Sequence, residues 1–312
     1  MPFDFDAAVT APFRMRPGLR RMAEGALQLT PLRAGSRHQR EKLAVLSTFA
    51  HQALLAQPGF DATPAVHALA RHAAQEHPLA WAWDGRQAQA RQLGVGVIDG
   101  EVQQLATGTF GLGDELARCL QQLAPAWRLA GLLSLSFAED FAIVDGDTAS
   151  VPWVAVTLPS FWAPEEKVGR PFTAIHAPVA DNAMLLDAAK ALVELVTRGE
   201  RWERFVWTVT PHTHLHAHPA RVALRRWADV DIADLGQQAW WRTEHQTFIP
   251  LPERRQAVFT IHVELQTLAN GLPDARRARA VHDAIATMSE AVLAYRGLTD
   301  VREPLLRWLA TR

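Results

Sequence analysis

Residues 240–250 read WWRTEHQTFIP, and residues 256–268 read QAVFTIHVELQTL. Both are short runs rich in β-branched and aromatic residues, separated by a Pro- and Arg-containing step, and both predict strands. Along the first, Arg242, Glu244 and Gln246 alternate and share one face, while Thr243, His245 and Thr247 take the other. A strand polar on both faces cannot simply rest on an apolar core. Either it is an edge strand, or one face lines a cavity that needs placed polar groups.

Three more runs have the same texture: FAIVDG (141–146), VPWVAVTLP (151–159) and RFVWTVT (204–210). Asp145-Gly146 and Asp147 mark a hairpin turn between the first two. A helical stretch that includes NAMLLDAAKALVELVTRGE (182–200) separates the second from the third. Two strands, a helical excursion and three strands predict an α+β fold centred on a five-stranded antiparallel sheet. This is also the order of a PAS domain, although order alone does not fix function. Residues 1–125 are expected to be mainly helical, from the periodicity of 38–56, 64–76 and 114–127, with a hairpin near GVGVIDGEVQQL. Residues 126–270 then form a PAS-like core, and residues 271–312 supply closing helices.

Composition narrows the function classes. The chain has 312 residues, 48% of them hydrophobic and 21% charged, with a formal charge of −1. Nothing in that balance points to nucleic acid or an anionic membrane. No apolar run is long enough for a membrane span, and the opening residues lack a basic-then-apolar leader, so a cytoplasmic protein is expected. Cys119 is the only cysteine, which excludes an intrachain disulfide and any C-x-x-C-H haem attachment. The glycines of GVGVIDG miss the dinucleotide-binding spacing, and neither G-x-S-x-G nor H-E-x-x-H occurs.

The histidines need weighing one by one. His212, His214, His216 and His218 recur at period two in PHTHLHAHP, which on a strand would put all four on one face as metal ligands. Bracketing prolines, and the lack of a carboxylate at ligand spacing, favour a loop or strand end. Cys119 sits among Leu116, Leu120 and Leu123 and reads as a small buried thiol. His176 lies in PSFWAPEEKVGRPFTAIHAPV (159–179), beside a chain reversal marked by Pro178. A lone histidine there is ordinarily a packed residue, and periodicity takes it no further.

That last block resembles the signature of the haem-dependent oxidative N-demethylase family: Pro-Ser-x-Trp-x-Pro-x-x-Lys-x-Gly, six residues, then His-x-Pro-Val-Pro. SFAEDFAIV, RFVWTV, WRTEHQTFIPLPERRQAVFTI, YRGL and the opening PFRMRPGL match further blocks in order. The resemblance implies a PAS-like fold that binds haem b non-covalently and oxidises a small secondary or tertiary amine with O2. Electrons would come from NAD(P)H through separate flavin and iron–sulfur reductase proteins. It further implies His176 as the iron ligand, with Lys167, Arg242 and Gln246 at the cofactor. Glu244 is then expected to bind the substrate ammonium or relay protons, with Arg242 as its resting partner. No nucleic-acid or membrane partner is expected, and oligomerisation is left open.

There are departures from the family pattern. Ala180 replaces a proline, and His262-Val263-Glu264 stands where the family has Arg-Thr-Tyr, which makes His262 a rival iron ligand. The one tyrosine, Tyr295, falls in the closing block, so no tyrosine is expected in the core. A haem-binding sensor or carrier without turnover, and a non-haem metal protein using the histidine run, are the competing readings.

Overall fold

The computed structural model describes residues 3–222 and 226–312. Eleven strands are present among them: β1 (Arg20–Arg21), β2 (Leu54–Ala56), β3 (Trp81–Trp83), β4 (Gln87–Ala90), β5 (Val95–Ile98), β6 (Glu101–Gln104), β7 (Asp140–Asp145), β8 (Ser150–Ala155), β9 (Trp202–Thr210), β10 (Trp240–Leu251) and β11 (Gln256–Thr267). The five expected strands are β7 to β11, and they lie side by side. The sheet is not five-stranded, however. It has seven strands in the order β1-β9-β10-β11-β7-β8-β2, all antiparallel. The two additions are edge pieces of two and three residues. β2 comes from the end of a run expected to stay helical: the helix Arg37–Ala53 stops at Leu54, whose backbone is extended, and Leu54–Ala56 pairs with β8.

The N-terminal region holds the expected helices as Arg37–Ala53, Thr63–Glu76 and Glu115–Gln122. It also carries a second sheet, an antiparallel meander of β3 to β6. Its last hairpin is the expected one, turning at Asp99 and Gly100, which both have positive φ (50° and 81°) as a tight two-residue hairpin turn requires. β3 and β4 escaped the pattern because their inward residues include Ala88 and Ala90, which fill the core as methyl groups and give no apolar signal.

β10 and β11 pair over twelve residues and form the spine. The odd-numbered face of β10 is buried along its length. At one end Ile249 and Val258 join Phe141, Ile143 and Trp153 against the helices Arg37–Ala53 and Pro125–Ser136. Trp127 stacks on Trp153 there, with centroids 5.4 Å apart. At the other end Trp241 stacks on Trp207 at 5.0 Å, covered by Val281 and Leu305 of the closing helices Ala275–Ala286 and Arg302–Ala310. The even-numbered face is covered instead by the excursion between β8 and β9, through Leu158, Trp162, Phe172, Val193 and Val196.

The Trp241 end has no spare volume. A Cβ placed on Gly271 would lie 2.5 Å from Trp241 Cβ, an atom fixed to the strand backbone. Gly271→Ala should therefore overpack this end and destabilise the fold by about 1–3 kcal/mol, read as a lower urea midpoint at unchanged slope.

Candidate functional site

The even face of β10 carries Arg242, Glu244 and Gln246, as the alternation predicts. Glu244 is held at both oxygens: the Ser160 hydroxyl donates to Oε1 in a short bond, and Gln246 Nε2 donates to Oε2 at 2.6 Å. Arg242 reaches Glu244 through Ser160 rather than directly, with its Nε donating to Ser160 Oγ at 2.8 Å. The rest of its guanidinium is committed to backbone carbonyls, those of His214 (3.1 Å) and Leu215 (2.8 Å) and, more loosely, Leu158 and Pro159. Arg242 is 1% exposed, and burial lowers its pKa to about 10 against the opposing pull of Glu244. It is thus a structural pin with little left to offer a bound anion.

His176 ends the short helix Phe172–His176, which lies over the same face. Phe172 packs with Val144, Val193 and Val196, and with Phe248 of β10 and Phe259 of β11. The His176 ring sits 4.0 Å from the Phe172 ring, and its Nδ1 is 2.8 Å from the Phe172 carbonyl oxygen. A carbonyl only accepts, so Nδ1 carries the proton and Nε2 holds the lone pair. Burial lowers the His176 pKa to about 4; the Phe172 bond opposes this, and nearby Arg204 and Lys167 reinforce it. The ring is therefore neutral near pH 7 with Nε2 ready to ligate. An Nδ1 fixed on a backbone carbonyl is the usual second-shell arrangement for a metal-binding imidazole. Lys167 lies close by and donates to the Ile175 carbonyl at 3.4 Å.

Arg204 was not foreseen. It pairs in register with Gln246 across β9 and β10, so its side chain joins the even face. Its Nε is shut off from solvent without a hydrogen-bond partner, and burial lowers its pKa while the Glu244 charge opposes the fall. Arg204 lines one small pocket together with Phe172, Phe248, Leu185, Val144 and Val193. Its signal in the sequence was the RFVWTV block, but only the register puts it beside Gln246. Tyr295 is half-exposed, outside the core as expected, yet its hydroxyl senses the charges of Arg204 and Glu244. The closing block thus reaches the rim of this face.

The rival histidines lie elsewhere. His262 is on the opposite face of the sheet, with Nδ1 3.1 Å from Glu139 Oε1 and Nε2 3.0 Å from Glu264 Oε1. Burial opposes its protonation, but the two carboxylates win and raise its pKa to about 9. An imidazolium held between two carboxylates offers no lone pair to haem iron. His262 and Glu264 therefore lie across the sheet from Glu244. The His212–His218 run is a loop whose imidazoles go separate ways. His216 Nδ1 donates to the Thr157 carbonyl at 2.7 Å, His218 Nε2 meets Glu165 at 3.1 Å, and His212 packs on Phe161. Cys119 is buried, and burial raises its thiol pKa, as suits an inert core residue. A larger groove of about 540 Å³, lined by His67, Arg71 and Arg254 at the end of β10, includes none of these groups in its walls.

The model of one protein family, described as haem-dependent oxidative N-demethylase, alpha subunit-like, matches residues 112–306. The chain belongs to that family. The matched segment includes β7 to β11 and the covering excursion, and so contains His176, Arg204 and Glu244. A haem-dependent subunit needs an iron ligand, apolar walls and cations for the propionates. His176 Nε2, the Phe172–Phe248–Phe259 surface, and Arg204 with Lys167 fit those needs. Among the described residues no helix is long and apolar enough to cross a membrane.

The pin makes a clear demand on stability. Arg242→Met should cost at least about 3 kcal/mol, because the carbonyls of Leu215 and His214 and the Ser160–Glu244 pair lose a buried charged partner. Ser160→Ala should cost only about 1–2 kcal/mol in the same urea titration.

Proposed function

We propose that this chain is the haem-binding, amine-oxidising subunit of an oxidative N-demethylase. The observation that carries this reading is the neutral His176 imidazole, anchored at Nδ1 with Nε2 free beside an apolar, aromatic surface. Haem b is the expected cofactor, held without covalent linkage, since the only cysteine is buried and inert. His176 is the axial ligand. Arg204 and Lys167 take the propionates, in place of the Arg242 role expected from sequence alone. The cofactor-binding unit is taken as residues 126–270, and the PAS-like description rests on the five longer strands and the helical excursion between β8 and β9. When bound, the haem supplies dioxygen activation and one-electron chemistry; the protein positions substrate and protons.

Glu244 is the substrate-facing carboxylate. Gln246 and Ser160 fix its two oxygens, so it enters the pocket with its orientation already set. A secondary or tertiary ammonium donates to Glu244 and is drawn by a charge that solvent screens weakly. The carboxylate can also take the ammonium proton and leave the neutral amine whose N-methyl group is oxidised. Electrons arrive from NAD(P)H through separate flavin and iron–sulfur proteins, in the cytoplasm, and formaldehyde is released.

Two variants test this reading. His176→Ala should lose the Soret band or change the haem spin state, whereas His262→Ala should keep the wild-type spectrum of whatever protein folds. The opposite pattern would move the ligand to β11. Glu244→Gln keeps volume and removes charge. Amine-induced changes in the haem spectrum should then weaken about tenfold or more, roughly 1.4 kcal/mol. Amine titrations unchanged in that variant would show that Glu244 serves the fold and not the substrate, and a wild type that releases no formaldehyde with any amine and a surrogate reductase would leave a haem carrier instead.

A further inference from the structure

Across the sheet from Glu244, three potential metal ligands converge where β11 runs past the end of its pairing with β7. His38, His262 and Glu264 each bring one donor atom to a common point, all within 4.8 Å of one another. His262 Nε2 is 3.0 Å from Glu264 Oε1, and His38 Nε2 is 4.0 Å from the same oxygen. The two imidazoles stand nearly perpendicular, at 85°, with centroids 5.6 Å apart. His38 comes from the helix Arg37–Ala53, and His262 and Glu264 are two residues apart on one face of β11. Three donors therefore arrive from two rigid elements.

The surroundings of the cluster match those of a metal site. His262 Nδ1 is turned toward Glu139, a carboxylate that is 1% exposed and is itself fixed by the Thr30 backbone N–H at 2.9 Å. A carboxylate behind the far nitrogen orients a ligating histidine and raises its basicity. Glu264 is half-exposed while His262 is 5% exposed, so the cluster opens to solvent on one side only. Glu139 and Glu264 flank the two ring nitrogens of His262, and the neighbouring Lys42 is already committed to Asp140 at 3.0 Å and to the Glu139 carbonyl.

We infer that His38, His262 and Glu264 form a second metal site, separate from the haem face, which binds one divalent transition ion through two imidazoles and one carboxylate. The mixed N,N,O donor set suits Zn²⁺, and a tetrahedral site with three protein ligands leaves the fourth position to water. To reach ligand distances of about 2.0–2.2 Å the donors must close up around the ion. Glu264 can move, being half in solvent, and His38 exchanges its bond to the Val263 carbonyl (2.7 Å) for the ion. His262 already points the required way.

Calorimetric titration of the haem-loaded protein with ZnSO4, after chelation and desalting, tests the site. One equivalent should bind, and Glu264→Gln and His38→Gln should each weaken it at least tenfold; Glu264 is half-exposed, so its variant changes the site without disturbing the core. Wild-type protein freed of haem should bind zinc at this site with the same affinity, which separates the site from the haem reading. Zinc binding that survives both substitutions but falls in His214→Ala or His216→Ala would place the ion in the 212–218 loop and overturn the inference. So would a wild-type protein that takes up no zinc.

Discussion

A single buried guanidinium sets the geometry of the candidate site. Arg242 gathers the carbonyls of Leu158, Pro159, His214 and Leu215 onto β10, and it binds Ser160 through Nε. These partners come from two irregular segments, one that follows β8 and one that follows β9. Pro159 also accepts from the Ala217 N–H at 3.0 Å, but without the shared cation the carbonyls of Leu158, His214 and Leu215 would lose their side-chain donor, at a cost of about 1–3 kcal/mol each. Arginine suits this role because its donors radiate in a rigid fork, which lysine cannot imitate. Ser160 passes the constraint on to Glu244, so the orientation of that carboxylate depends on Arg242 as well.

The sheet separates two kinds of chemistry. Its even face carries the groups around His176 and Glu244 under an aromatic cover. Its odd face holds a buried polar layer: His245 bonded to Glu203 at 2.9 Å, Thr247 bonded to Thr260 at 2.7 Å and to Gln28, and His262 between Glu139 and Glu264. The strand side chains His245, Thr247 and His262 are each paired, which is the condition under which burying such groups is tolerable. A strand polar on both faces is therefore neither an edge nor a misfit. One face is presented to the excursion, and the other is neutralised by partners from the N-terminal region and neighbouring strands.

How much of this is legible in the sequence depends on whether a feature is local. The five long strands are, because β-branched and aromatic runs bounded by turn residues report themselves. The alternation of Arg242, Glu244 and Gln246 also holds, since a period of two is geometry. The edge pieces Arg20–Arg21 and Leu54–Ala56 are too short to carry a pattern, and the alanines of β4 pack without an apolar signature. Pairing is invisible as well. Arg242 and Glu244 look like an ion pair two residues apart, yet the guanidinium is drawn away to carbonyls from distant segments. Arg204 becomes part of the site only through its register with Gln246, and Tyr295 approaches only because the closing helices fold back.

Charge on the even face gives a physical reason for a cofactor of a particular kind. Arg242, Arg204 and Lys167 are cationic, and Glu244 is joined to Arg242 through the Ser160 hydroxyl. Neither Arg204 nor Lys167 has an ion-pair partner within 4.0 Å among the described residues. Burial works against the Arg204 charge, and its Nε lacks even a neutral acceptor. Keeping a cation in such surroundings is costly unless an anion arrives to meet it. A flat apolar ring system with two carboxylates would cover the aromatic surface and answer those two cations, and its central metal would find a neutral imidazole. His176 stays neutral in part because Arg204 and Lys167 disfavour its protonation. The cations suited to the anionic edge of such a ligand thus also keep the lone pair on Nε2 that its metal needs.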